Sequence, residues 1–208
     1  MPYRVMIRAA VEGIVDEAVV RRLIRQSGAK PDTVFGKQGK DHLLKQLRAY
    51  NEAGKRYPWI ILMDLDRDDE CAPCFRSKYL PHPAPLLCFR IAVREVGAWL
   101  LADRKHFAKF LHVPESRMPF KPDELDDPKQ TVVDIARRSR SRAIRQDLVP
   151  NPLSGRRTGP AYASRLIEFI ESIDVGWRPD VASESSDSLR RCVDRLTQLV
   201  DAVKQGDA

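Results

Sequence analysis

Strand-like and helix-like segments alternate through the first half of the sequence, and this alternation constrains the fold more than any other feature. Amphipathic helical patterns at Asp16–Gly28 and Lys40–Gly54 each end at a glycine. They separate apolar, strand-like runs at Tyr3–Val11, Asp32–Gly36, Pro58–Asp66 and Ala84–Val93. Strands that alternate with helices form a parallel sheet with both faces covered, so the sequence predicts an α/β fold.

The second half of the sequence has a different pattern. One helix or a pair of helices is predicted over Arg94–Leu111, and from Pro114 onward prolines interrupt a basic, mostly helical region. The final segment, Ser186–Gly206, is an amphipathic helix with serine and aspartate at its start. We therefore expect two domains: an α/β domain over residues 1–112, and a basic α-helical extension over residues 113–208 that packs on it.

The bulk composition is that of a globular protein with an anionic partner. At 208 residues, of which 43% are hydrophobic, the chain is long and apolar enough to bury one good core. An excess of 36 Lys and Arg over 29 Asp and Glu gives a net charge of +7, which favours nucleic acid as the partner. No apolar run approaches the ~18 residues of a membrane span, and the N-terminus lacks a signal-peptide pattern. We therefore expect a cytoplasmic protein without a membrane partner.

Carboxylates follow two of the predicted strands at the point where each strand ends. Glu12 follows the first strand, and the acidic segment Asp64–Asp69 follows the third. The carboxyl ends of parallel strands open into a common crevice, where functional groups collect. Alternation along an extended chain puts Asp64 and Asp66 on the same side, where they can share a hard cation that Glu12 also contacts. The structural alternative is a helix start at Glu12 and a solvated loop at Asp64–Asp69.

Several motifs carry a resemblance to known families. The segments VEGIVDE (Val11–Glu17) and IILMDLD (Ile60–Asp66) resemble, in order and spacing, the motifs of the TOPRIM fold. That fold occurs in primases, topoisomerases, ribosomal RNA maturases and the nuclease half of overcoming-lysogenization-defect (OLD) proteins. IAVREVGAWLLAD (Ile91–Asp103), DDPKQ (Asp126–Gln130) and the late SDSLRRCVDRL are similar to the bacterial domain-of-unknown-function family 4276, itself TOPRIM-like. The resemblance spans nearly the whole chain.

The resemblance implies a nuclease that depends on Mg²⁺ or Mn²⁺ and cleaves or nicks nucleic acid phosphodiesters. It matches Glu12, Asp16, Asp64 and Asp66 to acidic positions of the family. We therefore expect catalytic roles for these four residues and for Glu95, and metal binding by Glu12, Asp64, Asp66 and Asp68. Carboxylates and water suit both ions, which supports the assignment on chemical grounds. The family pattern has a glutamate where this chain has Gly97, and the sequence leaves open whether Glu95 replaces it.

Basic residues are expected to hold the nucleic acid, with DNA favoured over RNA. Arg8, Arg67 and Arg94 are expected near the strand tips, and two cationic stretches follow at residues 137–145 and 154–159. The alternative for the cationic stretches is a solvated helix face. The residues predicted to contact nucleic acid are Arg8, Arg67, Arg94, Lys129, Arg137, Arg138, Arg140, Arg156 and Arg157.

The resemblance also suggests partners. The OLD-like relatives pair the nuclease with an ATPase, whereas this sequence has no P-loop motif. A separately encoded P-loop ATPase is therefore the implied partner, and phage defence is the implied setting. The rival hypothesis is a non-catalytic regulatory or nucleic-acid-binding subunit of such a complex. A homo-oligomer is compatible with either hypothesis.

The four cysteines are too few and too unevenly spaced for a disulfide framework, so reduced thiols are expected. Cys71 and Cys74 form a Cys-x-x-Cys pair, which is typical of redox centres. With His82 and Cys88 the pair also supplies four zinc-ligating side chains. The neighbouring carboxylates raise a thiol pKa rather than lower it, and we predict ordinary thiols.

Overall fold

A four-stranded parallel sheet forms the centre of the fold in the computed structural model, which describes residues 5–206. The strands are β1 (Met6–Val11), β2 (Lys30–Gly36), β3 (Trp59–Asp64) and β4 (Leu87–Ala92), in the order β2-β1-β3-β4. All adjacent pairs are parallel, which confirms the predicted α/β fold and is consistent with a Rossmann-like arrangement. Tyr3 and Arg4, which the sequence pattern includes in the first strand, lie outside the described residues.

Helices flank the sheet because each connection between parallel strands must cross it. The first three are α1 (Ile14–Gln26), α2 (Lys40–Ala53) and α3 (Ala72–Tyr79). The connections through α1 and α2 run in opposite directions across the sheet, so crossovers of the usual right-handed sense put these helices on opposite faces. On the α2 face one apolar cluster buries Leu43, Leu47, Phe75, Ile61, Met63 and Phe89.

The described residues divide into two compact units. The first contains the residues up to Val93 together with those from Arg190 onward, and the second contains residues 94–189. The sheet therefore shares its unit with most of the C-terminal helix, α10 (Asp187–Gln205), and the boundary expected near residue 112 lies inside the second unit. The reason is packing between segments that are far apart in sequence. Phe107, which follows the sheet closely in sequence, packs on Phe169.

The second unit is helical, and of the two alternatives expected after the last strand, one helix or a pair, the structure has the pair. Prolines stand in the first turns of two of its helices, where the missing N–H has no intrahelical partner to lose, so they begin elements instead of breaking them. The helices are α4 (Val96–Ala102), α5 (Arg104–Phe110), α6 (Pro128–Ala136), α7 (Arg142–Leu148), α8 (Tyr162–Glu171) and α9 (Pro179–Ser183), with 3₁₀ turns at Glu115–Arg117, Pro122–Glu124 and Pro152–Ser154. Between residues 5 and 206, no helix combines the length and the apolar character needed to cross a membrane.

Buried polar contacts connect distant segments of the second unit. The Trp99 indole N–H donates to the Ser188 hydroxyl at 2.7 Å, and the Trp177 indole N–H donates to the Trp99 carbonyl at 3.0 Å. Asp103 is fully buried and accepts hydrogen bonds from the amide, Nε and Nη2 of Arg178. The buried polar atoms of Trp99, Trp177 and Asp103 thus each have a hydrogen-bond partner, as a stable interior requires.

Cys71 and Cys74 form a disulfide, so the expectation of reduced thiols is wrong for this pair. The zinc alternative fails with it, because zinc would need both thiolates. Cys71 is the N-cap of α3, and the first turn of the helix brings the two Cα atoms to 5.2 Å, within bridging distance. Counting cysteines for a framework overlooks such a local link. Cys88 and Cys192 are free and buried, as expected of ordinary thiols.

Candidate functional site

The candidate site lies where β1 and β3 end. The chain leaves β1 towards β2 on one side, whereas β3 lies on the other side of β1, so the connections diverge between β1 and β3. In open parallel sheets this divergence leaves a crevice beyond the carboxyl ends of the strands, and ligands bind there. Val11 is paired with Leu62, which places Glu12 and Asp64 next to each other at this edge.

Glu12 is a carboxylate of the crevice with a strongly raised pKa. Its Oε1 accepts a hydrogen bond from the Asp64 amide at 2.9 Å. Burial raises the pKa of Glu12 to about 7; the Asp64 amide and the Lys40 charge oppose this rise, and the charges of Asp16 and Asp66 add to it. Glu12 therefore contacts the Asp64 amide and lies within electrostatic reach of Asp16 and Asp66. Shared metal binding by these carboxylates stays a prediction.

Asp16 has a structural task at the edge of the site. It is buried, and its Oδ2 accepts a hydrogen bond from the Gly13 amide at 2.7 Å. A carboxylate in the first turn that bonds back to the N-cap amide stabilises the start of a helix. Asp16 thereby holds the turn that presents Glu12, and its predicted role as a further ligand or base stays a prediction.

Lys40 is the site residue that the sequence analysis missed. Its Nζ donates to Asp66 Oδ2 at 2.5 Å and to Asp68 Oδ2 at 2.7 Å. Burial lowers the pKa of Lys40, but the bonds from the two aspartates outweigh burial and leave the pKa raised. Lys40 begins α2, directly after the loop that leaves the carboxyl end of β2. Because β2 neighbours β1 in parallel, the same rule that located Glu12 also locates Lys40.

The acidic loop after β3 is only partly exposed to solvent and has one unusual backbone conformation. Asp64 is half-buried, whereas Asp66, Arg67 and Asp68 are exposed. Asp66 has a φ of 50°, in the left-handed region that aspartate tolerates better than most residues. Such conformations are enriched at functional sites. Arg67 is at the tip between the two aspartates that bind Lys40, as predicted for a residue near this edge.

The chemistry of these side chains suits a hard divalent cation, but the cation that they hold here is an ammonium group. Carboxylate oxygens are the ligands that Mg²⁺ and Mn²⁺ prefer. Within residues 5–206, however, no three His, Cys, Asp or Glu side chains are arranged to hold a metal ion together. Lys40 supplies positive charge to Asp66 and Asp68, and the half-buried carboxylate of Glu12 accepts a hydrogen bond from the Asp64 amide. The donor set fits the ion chemically, and Lys40 would compete with it.

Glu95 belongs to the second unit, and its partners lie in that unit. Its Oε1 accepts from the Lys129 amide at 2.5 Å, and Lys129 Nζ lies 3.5 Å from its Oε2. Burial raises the pKa of Glu95, and Lys129 opposes that rise. A Cβ at Gly97 would lie 3.4 Å from Glu95 Oε1. The Glu95 carboxylate is thus beside the position where the family pattern has its glutamate.

The predicted phosphate-binding residues have different surroundings. Arg8 is paired with Trp59, the first residue of β3, and its guanidinium contacts Asp32 at 3.1 Å. Arg8 therefore lies beside the amino end of β3, and its expected location near the carboxyl ends of the strands is wrong. The reason is its position in the strand, since three further residues follow Arg8 before β1 ends. Arg94, with a φ of 57°, belongs to the second unit.

The cationic residues of the second unit are mostly on its surface. Arg138, Arg140 and Arg156 are exposed. Arg137 lines an open cleft of about 720 Å³ together with Arg142 and Arg145, which the sequence analysis did not single out. Two predicted residues are engaged with carboxylates, since Lys129 contacts Glu95 and Arg157 contacts Asp127.

Comparison of the chain with family models, with curated proteins and with solved structures finds no match.

Proposed function

We propose that this protein is a TOPRIM-like nuclease that depends on Mg²⁺ or Mn²⁺ and cleaves or nicks nucleic acid, DNA in preference to RNA. The observation that carries the proposal is the half-buried carboxylate of Glu12, 2.9 Å from the Asp64 amide in the crevice between β1 and β3. A carboxylate that is desolvated beside other carboxylates is stabilised by a cation. The resemblance of VEGIVDE and IILMDLD to TOPRIM motifs supports the same assignment.

In this proposal Glu12, Asp64 and Asp66 hold the ion, and Asp68 is a further oxygen donor. A bound divalent ion supplies charge stabilisation to a phosphodiester and lowers the pKa of a coordinated water. Two further side chains position the ligands and attract the nucleic acid. Asp16 holds the turn before α1, and Arg67, exposed in the same loop, attracts a phosphate oxygen.

Lys40 has a double role in the proposal. It offsets part of the negative charge of Asp66 and Asp68 before the ion binds, because an oxygen of each carboxylate lies within 2.7 Å of its Nζ. Once those carboxylates bind a divalent cation, the ammonium group is free to pair with a phosphate oxygen of the nucleic acid. The exposed arginines of the second unit, Arg138, Arg140 and Arg156, contribute further phosphate contacts.

The test is a cleavage assay with the full chain. Supercoiled plasmid, linear duplex DNA and RNA are incubated with Mg²⁺, with Mn²⁺ or with a chelator. We expect nicking or cleavage only with metal, and a fall of about 100-fold or more for Glu12→Gln and Asp64→Ala, the range found when one stabilising group of an active site is removed. Asp69→Ala, in the same loop but outside the proposed ligand set, is the matched control and keeps its activity. Equal cleavage by the parent and Asp64→Ala would sink the proposal.

A second candidate function follows from the pairing of Lys40. An ammonium group that binds Asp66 and Asp68 permanently would make the site a closed ion-pair cluster. The chain would then be a non-catalytic, nucleic-acid-binding or regulatory subunit of a complex with a separately encoded P-loop ATPase, in phage defence. Three results would favour this function. Asp64→Ala would still bind DNA, neither the parent nor any variant would cleave it, and an ATPase encoded by a neighbouring gene would co-purify with the chain.

A further inference from the structure

Three arginines of the first unit line a small cavity beside β4, one of the two outer strands of the sheet. Arg76 belongs to α3, Arg90 to β4 and Arg195 to α10. The cavity has a volume of about 150 Å³. We call it the arginine pocket and define it by these three residues. It shares no residue with the acidic site at the ends of β1 and β3.

The three guanidinium groups act on the same place. Burial raises the pKa of the Cys88 thiol to about 11, and the charges of Arg90, Arg195 and Arg76 all oppose that rise. One thiol within electrostatic reach of three cations indicates that the cations converge. Like charges that converge at a concave surface repel one another, which costs stability unless an anion lies among them.

No carboxylate between residues 5 and 206 supplies that anion. Among the described residues, none of the three arginines lies within 4.0 Å of a carboxylate oxygen, whereas Arg165 and Arg178 each have an acidic partner. In addition, the Nε of Arg90 is buried and has no hydrogen-bond partner between residues 5 and 206. A buried donor without an acceptor is unfavourable, and a charged one more so.

The other walls of the pocket restrict what can enter. Pro83 and Pro85 have no amide N–H, and Phe89 adds an apolar wall, so the arginines dominate the hydrogen-bonding capacity. Low polarity around charges strengthens their attraction for an anion. A liquid water occupies ~30 Å³, so the cavity holds the equivalent of about five waters. That space admits one phosphate group but not a nucleoside.

We propose that the arginine pocket binds a tetrahedral oxyanion, either inorganic phosphate or the phosphate group of a small phosphomonoester. Guanidinium groups donate paired N–H bonds that match phosphate oxygens, and such charge-assisted bonds are the strong ones. Arg90 adds the charge of its guanidinium to the pocket. The proposal is independent of the nuclease function, since it holds whether or not the acidic site is catalytic.

The test measures anion binding to the full chain at constant ionic strength. Potassium phosphate is compared with potassium chloride by thermal melting and by calorimetric titration, and adenosine monophosphate is a second probe. We expect phosphate to raise the melting temperature where chloride does not. A tighter interaction with adenosine monophosphate identifies a phosphomonoester as the ligand, and equal or weaker binding identifies free phosphate.

Variants distinguish a binding site from a structural cluster. Arg195→Gln and Arg76→Gln should each weaken phosphate binding about tenfold or more, the usual loss with a charge-assisted bond. Without phosphate they should melt no lower than the parent, because one of three repelling charges is gone. Arg76 is exposed, so its variant keeps the test valid if Arg195→Gln misfolds. Arg48→Gln, an exposed arginine of α2 outside the pocket, should bind phosphate within twofold of the parent.

Three results would overturn the proposal. The first is stabilisation by phosphate no larger than by chloride. The second is a loss of binding in Arg48→Gln equal to that in the pocket variants. The third is binding of a DNA duplex without terminal phosphates while phosphate and adenosine monophosphate leave the melting temperature unchanged, since that would identify a surface for polymeric phosphodiesters.

Discussion

Asp103 in the second unit and Glu12 in the first are both removed from water, but they differ in how completely their charges are compensated. Asp103 is fully buried and is bonded by the amide, Nε and Nη2 of Arg178. Glu12 accepts one amide hydrogen bond, and its pKa is raised to about 7 by burial. A buried carboxylate whose hydrogen bonds are all made contributes to the stable interior. A carboxylate with a perturbed pKa and little positive charge beside it is a candidate for ligand binding.

The same contrast extends to their neighbours. Within residues 5–206, Asp103 is the carboxylate that forms an ion pair with the Arg178 guanidinium, and the charge of Asp180 acts on Arg178 less strongly. Lys40 is shared between Asp66 and Asp68, and its charge also acts on Glu12. Glu12, Asp66 and Asp68 together can carry more negative charge than this ammonium group offsets, in a protein whose net charge is +7. A divalent cation would correct the imbalance.

Removing the ion pair between Asp103 and Arg178 should have the largest effect on stability. Arg178→Met leaves the fully buried Asp103 without its cation, which should lower the free energy of unfolding by about 3–5 kcal/mol. Chemical denaturation measures the loss. Arg137→Met removes an exposed ion pair to Asp134 in the same unit and should cost less than about 1 kcal/mol. Equal losses in the two variants would show that the Asp103 pair is not the special structural contact that we infer.

Metal binding should give the next largest effect. A cation at a hundredfold excess over Kd stabilises the folded chain by about 2.7 kcal/mol, or about 5–10 °C for a chain of this size. Lys40→Met should melt lower than the parent in chelator and show a larger rise with Mn²⁺, because the ammonium group and the ion compete for the same carboxylates.

Two variants delimit the metal experiment. Lys45→Met, an exposed lysine of the same helix, should melt and respond like the parent. Asp64→Asn/Asp66→Asn should show little response to Mn²⁺. If the parent and Lys40→Met both melt at the same temperature with Mn²⁺ and with chelator, the site is a closed ion-pair cluster and the regulatory function gains support.

The smallest effect is the change in stability with pH that is caused by Glu12. The folded-state pKa of Glu12, about 7, lies above the value of 4.5 expected when the chain is unfolded. The folded state therefore binds the proton more tightly, and its stability falls as pH rises from about 5 to about 7 and levels off above. After allowance for solvent screening, the cost at pH 8 is about 2 kcal/mol.

Glu12→Gln should remove this cost. In metal-free buffer the variant should match the parent near pH 5 and exceed its unfolding free energy by about 2 kcal/mol at pH 8. Glu171→Gln, at an exposed carboxylate of the second unit, should follow the parent at every pH. A difference between Glu12→Gln and the parent that does not change with pH would rule out titration of Glu12 as the cause.

Local patterns were enough to predict much of the first unit. Apolar runs marked β1, β3 and β4 because burial on both faces of a parallel sheet leaves a continuous hydrophobic signal. The less buried β2 was predicted from the short segment Asp32–Gly36. Glu12 and Asp64 were predicted to meet because the carboxyl ends of parallel strands share an edge, whatever their separation in sequence. The Cys71–Cys74 disulfide is equally local, and it was missed because a framework of several bridges was sought.

The sequence by itself thus determined the parallel α/β fold and the edge at which the acidic side chains collect, since both follow from periodicity and strand direction. Only the tertiary structure decided which charges meet. Lys40 reaches Asp66 and Asp68 across 26 and 28 residues of sequence, and the arginine pocket draws on α3, β4 and α10. Periodicity records how deeply a residue is buried but not its neighbours from other elements. Those contacts depend on how the elements pack, which is why the return of the C-terminal helix to the unit that contains the sheet was also beyond prediction.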